Sequence, residues 1–400
     1  SKVKPGLLRR APWKSLAPES ARVTGISRKL AQALLKLSDN MTTGRPYNPM
    51  STPPTTVRDG ETFVAPDDQP LVEFIREHAA AKRVVIQARQ RLSGGAIQEN
   101  WLLDLLIEGG PWAGARRWVL RSDALSALPA SLDREQEFAV LQVVHQAGVK
   151  VPRPLWLCRD MRVHGRVFFL MEYVPGVAAG RLLSAGAGTQ GRAQLAAQLG
   201  ANLARLHQVR PPCAALDFLP MPTRSPALAT IDAYRHYLDT LADAYPVLEW
   251  GLRWCELHAP RNSILCLLHR DYRTGNYLAS EQGLEAVLDW EFTGWGDPCE
   301  DLGWFTARCW RFTRPDLEAG GIGQLEDFLG GYHEVSPLRI ERSQLHYWQV
   351  MATLRWAVIA LQQGQRHLSG EEPSIELALT ARLLPELELD ILHMTGAEAP

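Results

Sequence analysis

The chain has 400 residues, 46% hydrophobic and 22% charged, with a formal net charge of −1. That is ordinary globular composition with material for two cores, and it excludes a disordered or fibrous chain. The six cysteines form no Cys-x-x-Cys pair, so neither a zinc site nor a disulfide framework is indicated and a reducing cytoplasm is the simplest home; no apolar run approaches the roughly 18 residues of a membrane helix, so no membrane contact is expected.

Charge is unevenly spread. Residues 1–60 hold 11 Lys or Arg against 3 Asp or Glu, a net +8 that leaves about −9 on the remainder. A basic, acid-poor start rich in Ser, Thr and Pro reads as a targeting peptide, a nucleic-acid arm or a solvated tail. The solvated tail or a start-site artefact is favoured, with Met50 a candidate natural start. Apolar spacing predicts one short helix over 26–37, and 38–68 reads as linker. Residues 1–64 are therefore expected to be a poorly ordered extension. A nucleic-acid function would need aromatics interleaved with a basic patch beyond this arm, and the sequence has neither.

Next come a predicted amphipathic helix over 70–81 and a strand over 84–90. The turn that follows, Ser93-Gly94-Gly95, would let backbone amides approach an anion, although two glycines between strands more often mark a plain hairpin. A strand containing Trp118-Val119-Leu120-Arg121 precedes a helix over 131–147 with Phe138, Leu141 and Val144 on one face. Glu137 and Glu135 lie on that helix, and a helix glutamate commonly faces water. Pro152 and Pro154 introduce two strands, 155–158 and 167–171, around a polar turn, 159–165. The strip Glu172-Tyr173-Val174 then ends at the break Pro175-Gly176. Beyond it the chain reads as helix over 193–207, 227–241, 247–257, 322–332, 343–363 and 375–392. Arg355, inside the apolar run 351–361, needs a partner if buried and is a candidate acceptor-site residue.

The chemistry is concentrated between these helices. Leu267-Leu268-His269-Arg270-Asp271-Tyr272-Arg273-Thr274-Gly275-Asn276 puts a polar loop between apolar runs, and Ala286-Val287-Leu288-Asp289 ends a second run in a carboxylate. Phosphoryl transfer asks for such a set: a carboxylate to orient and deprotonate a hydroxyl, and hard oxygen ligands for magnesium. Asp271 fits the base, Asn276 and Asp289 the metal ligands, and Arg273 a group that steadies the transferred phosphate. His269, flanked by two leucines, is read as an orienting residue without a catalytic role. Asp297 and Asp301 are read as structural, capping a helix or holding a loop.

His-x-Asp-x-x-x-x-Asn, the following Asp289 and the segment Gly294-Trp295-Gly296-Asp297-Pro298 through Asp301-Leu302-Gly303-Trp304 together resemble the aminoglycoside phosphotransferase and choline kinase-like family. Within it the chain looks most like the branch fused to some acyl-CoA dehydrogenases, over roughly residues 65–395. The resemblance implies an α+β, protein-kinase-like fold of two lobes, with a small antiparallel-sheet lobe at 65–174 and a helical lobe at 175–400. It also implies magnesium and ATP in the cleft between them. On that basis Ser93, Gly94 and Gly95 would approach phosphates, and Arg121 would take the place of the usual strand lysine. Glu137 would pair with it, with Glu135 the fallback, and Glu172 and Val174 would offer backbone groups to the adenine edge unless they are only a connector. The helices at 227–241 and 247–257 would shape the acceptor pocket. The seven aromatics between Trp290 and Phe312 are read mostly as core or cleft lining, with a cation cage the sharper alternative. The expected partner is a small-molecule hydroxyl acceptor, with hydroxyacyl-CoA one candidate class. A resistance kinase acting on aminoglycosides and a non-catalytic pseudokinase are the rivals.

Overall fold

The computed structural model describes residues 68–92, 98–123, 131–186, 191–261 and 264–396. The extension expected over 1–64, its short helix at 26–37, and Ser93, Gly94 and Gly95 lie outside the described residues.

A five-stranded antiparallel sheet in the order β1-β2-β3-β5-β4 is built from β1 (Arg83–Arg91), β2 (Gln98–Glu108), β3 (Gly114–Asp123), β4 (Pro154–Cys158) and β5 (Phe168–Glu172). Strand alternation sorts its residues into two faces. Trp118 and Leu120 point with Leu103, Leu105, Phe168 and Leu170 toward helix α1 (Gln69–His78), which buries Leu71 and Ile75 on them. Val119 and Arg121 take the other face with Leu102, Phe169 and Met171, beneath helix α2 (Arg134–Gln146) and its Phe138, Leu141 and Val144. The start of α2 is set by a capping box between Asp133 and Gln136. The turn at 159–165 contains a one-turn helix, α3 (Met161–His164), capped by Asp160.

After Glu172 the chain is mostly helical: α4 (Gly180–Ala185), α5 (Arg192–Leu206), α6 (Pro226–Leu238), α7 (Pro246–Leu257), α8 (Pro298–Thr306), α9 (Leu325–Val335) and α10 (Arg342–Leu368). The single helix expected over 375–392 is instead two, α11 (Ile375–Ala381) and α12 (Leu384–Met394). Pro385 is the reason, because it cannot donate to the preceding turn but fits the first turn of a new helix.

Two contacts bring helices unusually close. A Cβ at Gly200 on α5 would lie 1.9 Å from the Phe328 carbonyl oxygen, and one at Gly331 on α9 would lie 1.9 Å from that of Ala197. A Cβ at Gly303 on α8 would lie 2.6 Å from the Trp348 carbonyl carbon on α10. Between these helices run two small ribbons, β6 (Cys266–Leu268) with β9 (Gly294–Gly296), and β7 (Tyr277–Ser280) with β8 (Gly283–Val287). The loop after β6 and the loop after β8 carry the chemistry. Among the described residues no helix is long and apolar enough to cross a membrane.

Candidate active site

The two chemical stretches are stapled together through His269. Its Nδ1 accepts the Asp271 amide N–H at 3.1 Å, so its Nε2–H donates to the Leu288 carbonyl at 2.8 Å. The Leu288 amide in turn donates to the Asn276 carbonyl at 2.8 Å. Burial holds the imidazole below its ordinary pKa, which keeps the neutral tautomer this staple needs. His269 therefore orients its neighbours, as expected.

Asp301 holds the same loop from below. Its two oxygens accept the amides of His269 and Arg270, both at 2.7 Å, and His207 Nε2 lies 3.3 Å away. Burial pushes this carboxyl up, but the His207 ring and the His269 amide outweigh it and hold the group below the ordinary carboxylate range. Asp297 caps α8, accepting the Cys299 amide at 2.8 Å. Arg270 and Asp289 both sit at positive φ, 64° and 60°. Non-glycine residues rarely adopt that conformation, and both positions bound the stapled segment.

Asp271 lies part-buried with both carboxylate oxygens occupied. Asn276 Nδ2 donates to Oδ2 at 2.5 Å and to the Asp271 carbonyl at 3.0 Å. Arg273 Nε reaches Oδ1 at 3.1 Å, and its guanidinium stacks over Trp310 at 4.6 Å. The third donor is Trp304 Nε1, 2.9 Å from Oδ1.

The strand cation and the helix carboxylate meet. Arg121 and Glu137, both buried, pair at 2.9 Å, while Glu135 lies at the surface with Arg159. The guanidinium of Arg121 also reaches Asn100 Oδ1 at 3.4 Å and Asp289 Oδ1 at 3.3 Å. A second buried arginine, Arg134, pairs with Glu137 from one helical turn away.

Asn100, Arg121, Glu137, Arg273, Asn276 and Asp289 line a cleft of about 540 Å³, a size typical of small-ligand sites, and Asp271 stands beside it, bonded to Asn276 and Arg273. Arg121, Arg273, Asn276 and Asp289 form its polar end, and Val119, Leu141, Met171, Tyr173 and Val174 its apolar end. The Glu172 amide already donates to the Arg153 carbonyl at 2.9 Å, which removes it from the expected hinge donors.

The fit of this end to magnesium follows from its donors. Asn276 turns its amide nitrogen to Asp271, which aims its carbonyl oxygen elsewhere, and Asp289, 40% exposed, is held by Arg121 through Oδ1 alone. Among the described residues no group of three or more His, Cys, Asp or Glu could hold a metal by itself. Magnesium does not require one, since it keeps waters and phosphate oxygens beside one or two protein ligands.

Residues 88–338, more than half of the chain and the segment that carries every one of these groups, match the phosphotransferase enzyme family APH. The chain belongs to that family. Curated relatives of this phosphotransferase-family chain include acyl-CoA dehydrogenase family member 10 of Mus musculus, 27% identical over 306 residues, and family member 11 of Pongo abelii, 25% identical over 344. These alignments cover 70% and 81% of the chain but only 28% and 44% of the relatives, so it spans less than half the length of either. Among solved structures, a candidate aminoglycoside phosphotransferase from Ralstonia eutropha JMP134 superposes with a TM-score of 0.65 at 19% identity, covering 84% of this chain and 99% of that one. Spectinomycin phosphotransferase in complex with ADP and spectinomycin superposes at 0.56 and 14%, covering 82% and 98%. The shared fold is the two-lobed, kinase-like α+β fold.

Sequence reasoning placed Trp304 only among the core or cleft-lining aromatics and gave no role to Asn100 or Arg134. Trp304 stands three residues after Asp301 on one helix, a spacing that puts both on the same side. That was the available signal.

Proposed function

We propose that this family member is a small-molecule kinase that transfers the γ-phosphoryl group of ATP to an acceptor hydroxyl. The observation that carries this reading is the convergence of Asn276 and Asp289 on one cleft, with Asp271 bonded to Asn276 beside it and His269 stapling the two loops. Bound magnesium supplies charge neutralisation for the triphosphate. Asn276 and Asp289 would hold it by their oxygens, and Asp271 orients the acceptor hydroxyl and takes its proton. Arg273 lies beside Asp271, in reach of a transferred phosphate. Arg121 grips phosphate in place of a lysine, and Val174 with the Glu172 carbonyl borders the adenine. The ADP held by the spectinomycin enzyme supports a nucleotide in this cleft.

For the acceptor, we favour an anionic metabolite such as a hydroxyacyl-CoA over an aminoglycoside. Arg273 and Arg355 flank Asp271 and its loop, stacked on Trp310 and Trp304, and this field repels a polycation. The acidic pair Glu371 and Glu372, beside Arg366, does not line the cleft. The kinship with acyl-CoA dehydrogenase family members points the same way.

The test is ATP consumption with magnesium, screened against hydroxyacyl-CoA compounds, aminoglycosides, choline-like amines and sugars. Turnover is expected with the anionic class. Asp271→Ala should lower it by a factor of about 10³ or more while nucleotide binding persists, and Asp289→Ala should weaken magnesium-dependent binding as well. Nucleotide binding without turnover on any compound would favour a pseudokinase, and no nucleotide binding would end the kinase reading.

A further inference from the structure

The geometry points to Trp304 as a positioning residue for Asp271, clamped in place by Arg355; this rests on the reading of Asp271 as the base. Of the three side-chain donors on the Asp271 carboxylate, Arg273 is mobile in kind, a long cation 28% exposed at the cleft. Asn276 would be committed to magnesium through its other atom. Trp304 is neither: its ring is 2% exposed and its one polar atom is spent on Asp271 Oδ1 at 2.9 Å. A carboxylate has about four lone-pair positions, and a base must keep one open for the incoming hydroxyl. Once Arg273 turns to phosphate, Trp304 and Asn276 still hold one oxygen each, which fixes the carboxylate rotamer and leaves Oδ1 a free position for the hydroxyl.

Arg355 accounts for why the indole stays put. It lies on α10 amid Met351, Ala352, Leu354 and Ala357, where an arginine without partners would be costly. Its guanidinium stacks over the Trp304 ring at 4.4 Å and donates to the Arg270 carbonyl, the peptide oxygen just before Asp271. Asp301 takes the amides of that loop, so an anion and a cation grip opposite sides of one backbone segment. Gly303 sets the distance. Because α10 touches α8 at Gly303 and Trp348, Arg355, two turns further along α10, falls on the Trp304 ring.

Two measurements test this. In protein labelled with ¹⁵N-tryptophan, the Trp304 indole N–H signal, assigned by its loss in Trp304→Phe, should move upfield in Asp271→Asn and should exchange faster with solvent in Arg355→Met. This arm needs no acceptor. In transfer assays Trp304→Phe, which keeps an aromatic ring but removes the donor with the pyrrole half of the indole, should lower kcat by about 10- to 100-fold, the cost of losing a hydrogen bond to a charged group. The KM for ATP should stay close to wild type while the thermal midpoint falls only by the cost of the smaller buried ring, and Arg355→Met should add little on top of Trp304→Phe. An indole signal indifferent to Asp271→Asn, an unchanged kcat, or a kcat that falls only in step with the thermal midpoint would overturn the inference. A wild-type chain that turns over no acceptor is a failure of the kinase reading, and measuring it first separates the two.

Discussion

Arg121 shows how much one residue identity can alter a site built on a familiar plan. A lysine would present one compact charge, whereas the guanidinium fork spans Glu137, Asn100 and Asp289 at once. Burial would push its pKa down, but the carboxylates of Glu137 and Asp289 more than reverse this and the group stays charged. Removing it should be expensive: Arg121→Met leaves Glu137 buried with Arg134 as its remaining cation, and we expect a loss of about 3 kcal/mol in urea unfolding, toward the low end for a broken buried pair. Arg121→Lys keeps the charge but cannot reach three partners, so it should cost less stability while weakening nucleotide binding. Equal stability of Arg121→Met and wild type would show that the cluster contributes nothing to folding.

At the scale of elements, α8 connects packing to chemistry. Asp301 and Trp304 stand one turn apart on its loop-facing side, and Gly303 between them admits α10. Gly303→Ala makes two effects compete. Alanine gains about 1 kcal/mol of helix propensity, while the new methyl meets Trp348 backbone that cannot rotate away, an overpacking cost of about 1–3 kcal/mol. The clash should win, so the variant is expected to unfold earlier in denaturant and to transfer phosphate more slowly, because Arg355 is lifted from the Trp304 ring. A variant as stable and active as wild type would show that α10 shifts freely.

Across the whole molecule, acid should destabilise the fold through its buried loop. His269 has its folded pKa held down by burial, so its contribution is fully present above the unfolded value of about 6.5 and is lost as pH falls from there toward the folded value. Asp301, also held down, adds a second loss below about pH 4. Glu300, whose carboxyl burial pushes up, acts in the opposite sense in the acid range. The discriminating measurement is therefore a difference: between pH 7.5 and 5.5 the thermal midpoint of wild type should fall more than that of His269→Gln. Equal slopes would remove His269 as the titrating group.

What the sequence determined by itself is local. The order of strands and helices, the loop from His269 to Asn276 and the carboxylate Asp289 were legible because each depends on residues a few positions apart. The break in the last helix was missed, although Pro385 marks it in the sequence. The phosphate-contacting role expected of Ser93, Gly94 and Gly95 lies outside the described residues, and the Glu172 amide, legible only as part of a strip, turned out to be taken by Arg153. Tertiary structure decided the partners. That Arg134 shares Glu137, that Asn100 reaches Arg121, and that Trp304 meets Asp271 depends on how closely separate elements approach. That approach is set by glycines such as Gly303, whose importance lies in the helix opposite and not in their neighbours along the chain.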